Sequence, residues 1–164
     1  MLIRQGKKYF LLKAVLLGGI SCAISGCSLI RKAKTAQLST IIKKARSFQG
    51  TPFRLGGTTQ EGIDCSGLVM VSFREVGIRL PRTSEAQSKV GRWIAITKLR
   101  PGDLVFFALN QKKKRKVSHA GIVTQVNGRK SVRFIHASRN RGVIESELFS
   151  PYYKKAYRKA RRVI

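Results

Sequence analysis

Apolar residues change their spacing about halfway along this chain, and that change restricts the fold more than any other feature. Leu38, Ile41, Ile42, Ala45 and Phe48 recur at the interval of one helix face and stop at Gly50, ahead of Thr51-Pro52. A second helix is expected from Asp64-Cys65 to Gly77, with a polar start and the apolar body Leu68-Val69-Met70-Val71. A short third helix through Val90 is expected after the turn Leu80-Pro81-Arg82, capped by Thr83 or Ser84. Beyond Pro101-Gly102-Asp103 the runs become strand-like, at Leu104–Phe107, Gly121–Val126, Val132–His136 and Gly142–Ile144. Helices first and strands afterwards predict an α+β fold, and short connections containing Gly or Asn favour an antiparallel sheet. A chain of 164 residues supports one such domain.

The amino terminus reads differently. Arg4, Lys7, Lys8 and Lys13 precede the uncharged run Ala14 to Ile24, the charged and apolar regions of a secretory leader. About 11 residues rise roughly 16 Å as a helix, well short of the ~30 Å hydrocarbon core, so a permanent span is not expected. Ile24-Ser25-Gly26-Cys27 resembles the lipobox of bacterial lipoproteins, which implies cleavage after residue 26 and acylation of Cys27. The expected organisation is a leader over 1–26, a lipidated Cys27 with a polar tether over 27–37, and a folded domain over 38–164. More than one acyl chain makes such anchoring stable. Ser28, in place of Asp, lacks the usual inner-membrane retention signal, so in a cell with two membranes the expected address is the outer one, facing the periplasm.

On this reading Cys22 leaves with the leader, Cys27 is blocked, and Cys65 is the one free thiol of the three cysteines. Lys and Arg number 34 against 7 Asp and Glu, a net charge of +27. Only four of these cations lie in the leader, so the excess persists after it. Hydrophobic residues at 43% still suffice for a core, which excludes a disordered basic tail. The charge calls for an anionic partner. Export makes nucleic acid improbable, and the basic residues lack the aromatic interleaving of a stacking surface. The acidic membrane surface and the carboxylate-rich wall remain. The run Lys112–Lys116 is expected as an exposed loop between strands.

A nucleophilic cysteine works as a thiolate, favoured by a helix amino terminus and a nearby imidazole. Cys65 opens a predicted helix, and the chain has two histidines, His119 in Ser118-His119-Ala120-Gly121 and His136 in Ile135-His136-Ala137, both on strand-like segments. Adjacent strands would let one imidazole polarise the thiol and the other orient the first. Composition alone leaves open a buried thiol with two core histidines. One thiol and two imidazoles at wide spacing, without CxxC or HExxH, make a poor metal pattern, and no metal is expected.

The segments Pro52-Phe53-Arg54-Leu55-Gly56-Gly57, Gly62-Ile63-Asp64-Cys65-Ser66-Gly67-Leu68-Val69 and Leu80-Pro81-Arg82-Thr83 occur in order, followed by Gln87 and Gly91. After them come Leu99-Arg100-Pro101-Gly102-Asp103-Leu104-Val105-Phe106-Phe107, Ser118-His119-Ala120-Gly121-Ile122 and Phe134-Ile135-His136-Ala137. Together, over about residues 40 to 163, they resemble the NlpC/P60 family of cell-wall cysteine peptidases, and are similar to its small lipoprotein murein endopeptidases. The resemblance implies a papain-like core whose nucleophile-bearing helix packs on an antiparallel sheet. It implies Cys65 as nucleophile, His119 as base and His136 as the residue orienting it. It implies peptidoglycan stem peptides as substrate, an acyl-enzyme, no cofactor, and a monomer.

Phe53 departs from the Tyr of many family members and cannot donate a hydrogen bond. Phe53, Asp64, Ser66 and Arg82 are the candidate substrate-binding residues. Asp64 has a structural reading beside the functional one, as a first-turn acid on the helix dipole. The competing function is a non-catalytic or weakly active envelope lipoprotein that binds peptidoglycan or an anionic membrane surface.

Overall fold

The computed structural model describes residues 28–109, 116–128 and 131–164. The expected leader, Cys27 and most of the Lys112–Lys116 run lie outside the described residues. The chain divides between Ala36 and Gln37. Before that point residues 28–36, part of the expected tether, are helical and almost wholly exposed. Lys, Arg, Ala and Leu are good helix formers, so this segment takes the form without burying an apolar face. No helix among the described residues is long and apolar enough to cross a membrane.

From Gln37 on, helix α1 (residues 37–46) is followed by a two-stranded hairpin, β1 (Thr58–Thr59) and β2 (Gly62–Ile63), and then by α2 (Cys65–Arg74) and the single turn α3 (Ser84–Gln87). The remainder is mostly strand: β3 (Arg92–Ile94), a 3-10 turn at Ile96–Lys98, β4 (Leu104–Phe107), β5 (His119–Asn127), β6 (Ser131–Ser138) and β7 (Gly142–Glu147). Helix α4 (Pro151–Ala156) and strand β8 (Tyr157–Arg162) close it. Strands β3 to β8 form one antiparallel sheet in the order β3-β8-β4-β5-β6-β7.

The alternation of side chains along the strands separates two apolar clusters. Leu104, Phe106, Ala120, Ile122, Ile135 and Ala137 pack with Ile41, Ala45 and Phe48 of the α1 segment and Leu68, Val69 and Phe73 of α2. Val105, Phe107, Val123 and Phe134 pack on the other side with Leu148, Tyr153 and Ala160. Strand β4 contributes to both clusters and is buried at all four positions, which explains its unbroken apolar run.

Three differences from the sequence reading bear on the site. Strand β5 begins at His119, two residues earlier than expected, so the histidine belongs to the sheet. The third helix ends at Gln87 rather than Val90. Strand β8 has the sequence Tyr-Arg-Lys-Ala-Arg-Arg, with only Ala160 buried, yet it lies between β3 and β4. Its backbone bonds to two neighbours where its side chains give no alternating signal.

Candidate active site

Helix α2 begins at the nucleophile candidate because Asp64 ends the preceding extended chain and caps it. The Asp64 backbone is β-like, and its Oδ1 accepts from the Gly67 N–H at 2.7 Å. The same carboxylate accepts from Ser66 Oγ at 3.0 Å, from the Gly56 N–H at 2.8 Å, and from Arg82 Nη1 and Nη2 at 2.9 and 2.6 Å. Arg82 Nη1 also donates to Ser66 Oγ at 2.9 Å. Burial works to raise the Asp64 pKa, but the Arg82 guanidinium and these donors outweigh it and hold the carboxyl below its ordinary value. Gly67 is required by close approach: a Cβ there would collide with the Gly57 carbonyl. The hairpin turn, the cap and the first turn of α2 are thereby one assembly.

Within it Cys65 is 8% exposed. Its Sγ lies 3.4 Å from Ser84 Oγ, the first residue of α3, and the backbone N–H groups of Ala120 and Ser66 also approach the sulfur. Burial pushes the thiol pKa up, and Ser84 and these N–H groups oppose it. Gln87 Nε2 donates to Ser66 O at 2.9 Å and Pro81 O at 2.8 Å, fixing α3 against the start of α2.

Ala120 follows His119, so β5 brings the imidazole candidate to the strand end that meets the sulfur. His119 Nε2 lies 3.0 Å from His136 Nδ1, and His136 Nε2 lies 3.0 Å from Ser146 Oγ and 3.1 Å from the Tyr153 hydroxyl. The rings are walled by aromatics: Phe134 stacks on His136 at 4.9 Å, and Phe107 lies 5.9 Å from His119. Gly121 makes room for this wall, since a Cβ there would come within 2.6 Å of Phe134 Cδ2. Burial, with the charge of Arg139, pushes His119 down to about 4. Burial, then His119 and Arg141, pushes His136 down to about 2. Both are neutral near pH 7, so each carries one N–H. If Tyr153 or Ser146 accepts from His136 Nε2–H, His136 Nδ1 must accept from His119 Nε2–H, and His119 Nδ1 is left as the basic nitrogen.

The fold thus gathers Asp64, Cys65, Ser66 and Arg82 at one helix start, and His119 and His136 on adjacent strands. Phe53 is half-buried, bridges to Ile63, and carries the Arg139 guanidinium over its ring at 5.8 Å from the centroid. Asp64 and Ser66 spend their polar atoms on the protein itself, while Arg82 keeps 37% of its side chain exposed. Ser146 and Tyr153 were absent from the sequence reading, and Ser84 entered it only as a possible cap. The possible capping role of Ser84 gave no hint of the thiol, and Tyr153 lies 17 residues beyond His136 in a stretch with no motif. Among the described residues no group of three or more His, Cys, Asp or Glu could hold a metal ion.

The geometry agrees with comparisons to known proteins. The NlpC/P60 family model matches residues 50–162. Over 127 residues the chain is 41% identical to the murein DD-endopeptidase MepS/murein LD-carboxypeptidase of Escherichia coli strain K12, covering 77% of this chain and 63% of that one. It therefore spans somewhat less than two thirds of that relative's length. It is 36% identical over 149 residues to the probable endopeptidase NlpC of the same strain, covering 85% and 92%. An NlpC/P60 family protein from Bacillus cereus superimposes with a TM-score of 0.69 at 31% identity, over 77% of this chain and 40% of that one. The relatives are peptidoglycan hydrolases and endopeptidases, and the shared architecture is that of papain-like cysteine peptidases. With helix start, strand pair and sequence in agreement, the chain belongs to the NlpC/P60 family.

Proposed function

We propose that this protein is a thiol peptidase of the bacterial envelope that cleaves amide bonds in peptidoglycan stem peptides. The observation that carries the reading is the meeting of the α2 start with the head of β5: the Ala120 N–H approaches the Cys65 sulfur, and the residue before it, His119, is bonded to His136 at 3.0 Å.

In the free enzyme burial favours a neutral thiol and a neutral imidazole. When substrate excludes water, His119 takes the thiol proton and the sulfur attacks the scissile carbonyl. The Gly67 N–H is held by Asp64 and the Ser66 N–H faces the sulfur, which leaves the Cys65 N–H for the oxyanion. The tetrahedral intermediate collapses as His119 gives its proton to the leaving amine. Water, deprotonated by the same imidazole, then hydrolyses the thioester. His136 holds the His119 ring in the required tautomer through both steps. Asp64, Ser66 and Arg82 act by holding the helix start, with the exposed part of Arg82 and the Phe53 ring available to substrate. The lipobox resemblance at Cys27 supports attachment of a monomeric enzyme to the membrane, with peptidoglycan rather than nucleic acid as its polymer partner.

The test compares the full chain with Cys65→Ala on purified sacculi, with released muropeptides identified by mass spectrometry. We expect release by the parent and a loss of at least ~10³-fold in the variant. Equal release by both would favour a wall-binding protein without turnover.

A further inference from the structure

Residues 139–141 form the turn between β6 and β7, closed by the register pair Ser138 and Gly142. Arg139 and Arg141 are both exposed there. This turn begins three residues after His136, and the charges of Arg139 and Arg141 bear on His119 and His136 respectively. Arg139 lies over the Phe53 ring, and Phe53 bridges to Ile63, two residues before the nucleophile. Arg141 approaches the Tyr153 hydroxyl that also meets His136.

Among the described residues neither arginine forms an ion pair with a carboxylate. The ion pairs among the described residues engage Lys44, Arg46, Arg82, Lys116, Arg133 and Arg162 instead. Glu145, the acid nearest in sequence, is taken by Arg46 at 2.8 Å and Arg133 at 3.1 Å. Two cations beside a base that must become an imidazolium oppose the proton transfer, and their charge already helps hold both histidines neutral. An anion placed between them would remove that opposition when substrate binds. A planar guanidinium matches a carboxylate through paired N–H donors.

We infer that Arg139 and Arg141 form a carboxylate-binding lip on the cleft, and that the preferred substrate carries a free carboxylate beside the scissile amide. This rests on the peptidase reading above. In a stem peptide the carboxylate has two possible sources, the D-glutamyl residue and the diaminopimelyl residue.

The full chain is assayed on four synthetic stem peptides: both carboxylates free, each amidated singly, and both amidated. Amidation at one of the two positions is expected to raise KM for the parent at least about tenfold, with a smaller change in kcat. The position that matters names the source. Arg139→Gln/Arg141→Gln should show the raised KM on the free peptide and indifference to amidation, and Arg139→Lys/Arg141→Lys should recover part of the discrimination. Equal kcat/KM of the parent on free and amidated peptides would overturn the lip while leaving the peptidase reading intact. So would a variant that loses equally on all four. Absence of Cys65-dependent cleavage of any peptide would overturn both.

Discussion

Cys65 and His119 belong to elements that pack together, α2 and β5, but they are held by different physics. Around the thiol the fixing groups are charged or belong to the backbone: the Asp64 carboxylate with its five donors, the Arg82 guanidinium, and the N–H groups at the start of α2. Around the imidazoles they are neutral hydroxyls within an aromatic wall, with Ser146 and Tyr153 at one end and Phe107 and Phe134 at the side. The first arrangement gains strength from ionisation. The second exists only while both rings stay uncharged. One half of the site is therefore anchored by charge and the other by the exclusion of charge, and the two should fail under different conditions.

Acidification gives the largest separation. A His119 pKa of about 4 in the folded state lies below its value in the unfolded chain, so the unfolded state binds the proton first as pH falls. The stability contributed by the neutral ring is complete above about pH 6.5 and is lost progressively down to about 4, amounting to about 3 kcal/mol. The lowered Asp64 carboxyl keeps its contribution throughout that window and yields only below about pH 4. Denaturant unfolding measured from pH 7.5 to 4 should show this loss together with that of His136, whose value of about 2 lies lower still, and His119→Gln should reduce the slope without abolishing it. A flat profile in the parent would mean that the imidazole side tolerates charge.

The complementary break is Asp64→Ala. It removes the cap of α2 and leaves the donors of Gly56, Gly67 and Arg82 without their acceptor, for an expected cost of about 2 kcal/mol in unfolding free energy. The slope between pH 6.5 and 4 should be unchanged, since it belongs to the other half. A variant that loses the slope as well would show the two halves to be coupled.

Tyr153→Phe has the smallest expected effect because Ser146 remains as a second partner of His136 Nε2. A loss of about 1 kcal/mol, seen as a roughly fivefold fall in kcat with KM unchanged, is expected. Nitrogen chemical shifts of the imidazoles report the tautomer directly. They should move in Tyr153→Phe/Ser146→Ala, whereas a merely packing role would lower stability and leave them in place.

Much of the site was readable in the chain because its signals are local. Asp64-Cys65 is the polar start of an apolar helical run, and both histidines lie in strand-like segments. The resemblance added roles to Cys65, His119 and His136, and the model brings these residues to one helix start and two neighbouring strands. Asp64 and Ser66, read as candidate substrate contacts, prove to have their polar atoms engaged within the protein.

Tyr153, Ser146 and Arg139 could not be read in the same way, because a hydroxyl or guanidinium carries no periodicity and finds its partner only when distant strands pair. Strand β8 is the plainest case. Its basic sequence has no alternating apolar face, and it is a strand because β3 and β4 offer backbone partners on both sides. The sequence by itself determined the elements whose information lies within a few residues: the caps, the apolar helical faces, the strands that bury their own side chains, and the candidates for the reacting groups. The tertiary structure decided what those groups touch. Burial sets the protonation of the two imidazoles, and the β6–β7 turn sets two cations beside them, and both depend on contacts between residues far apart in the chain.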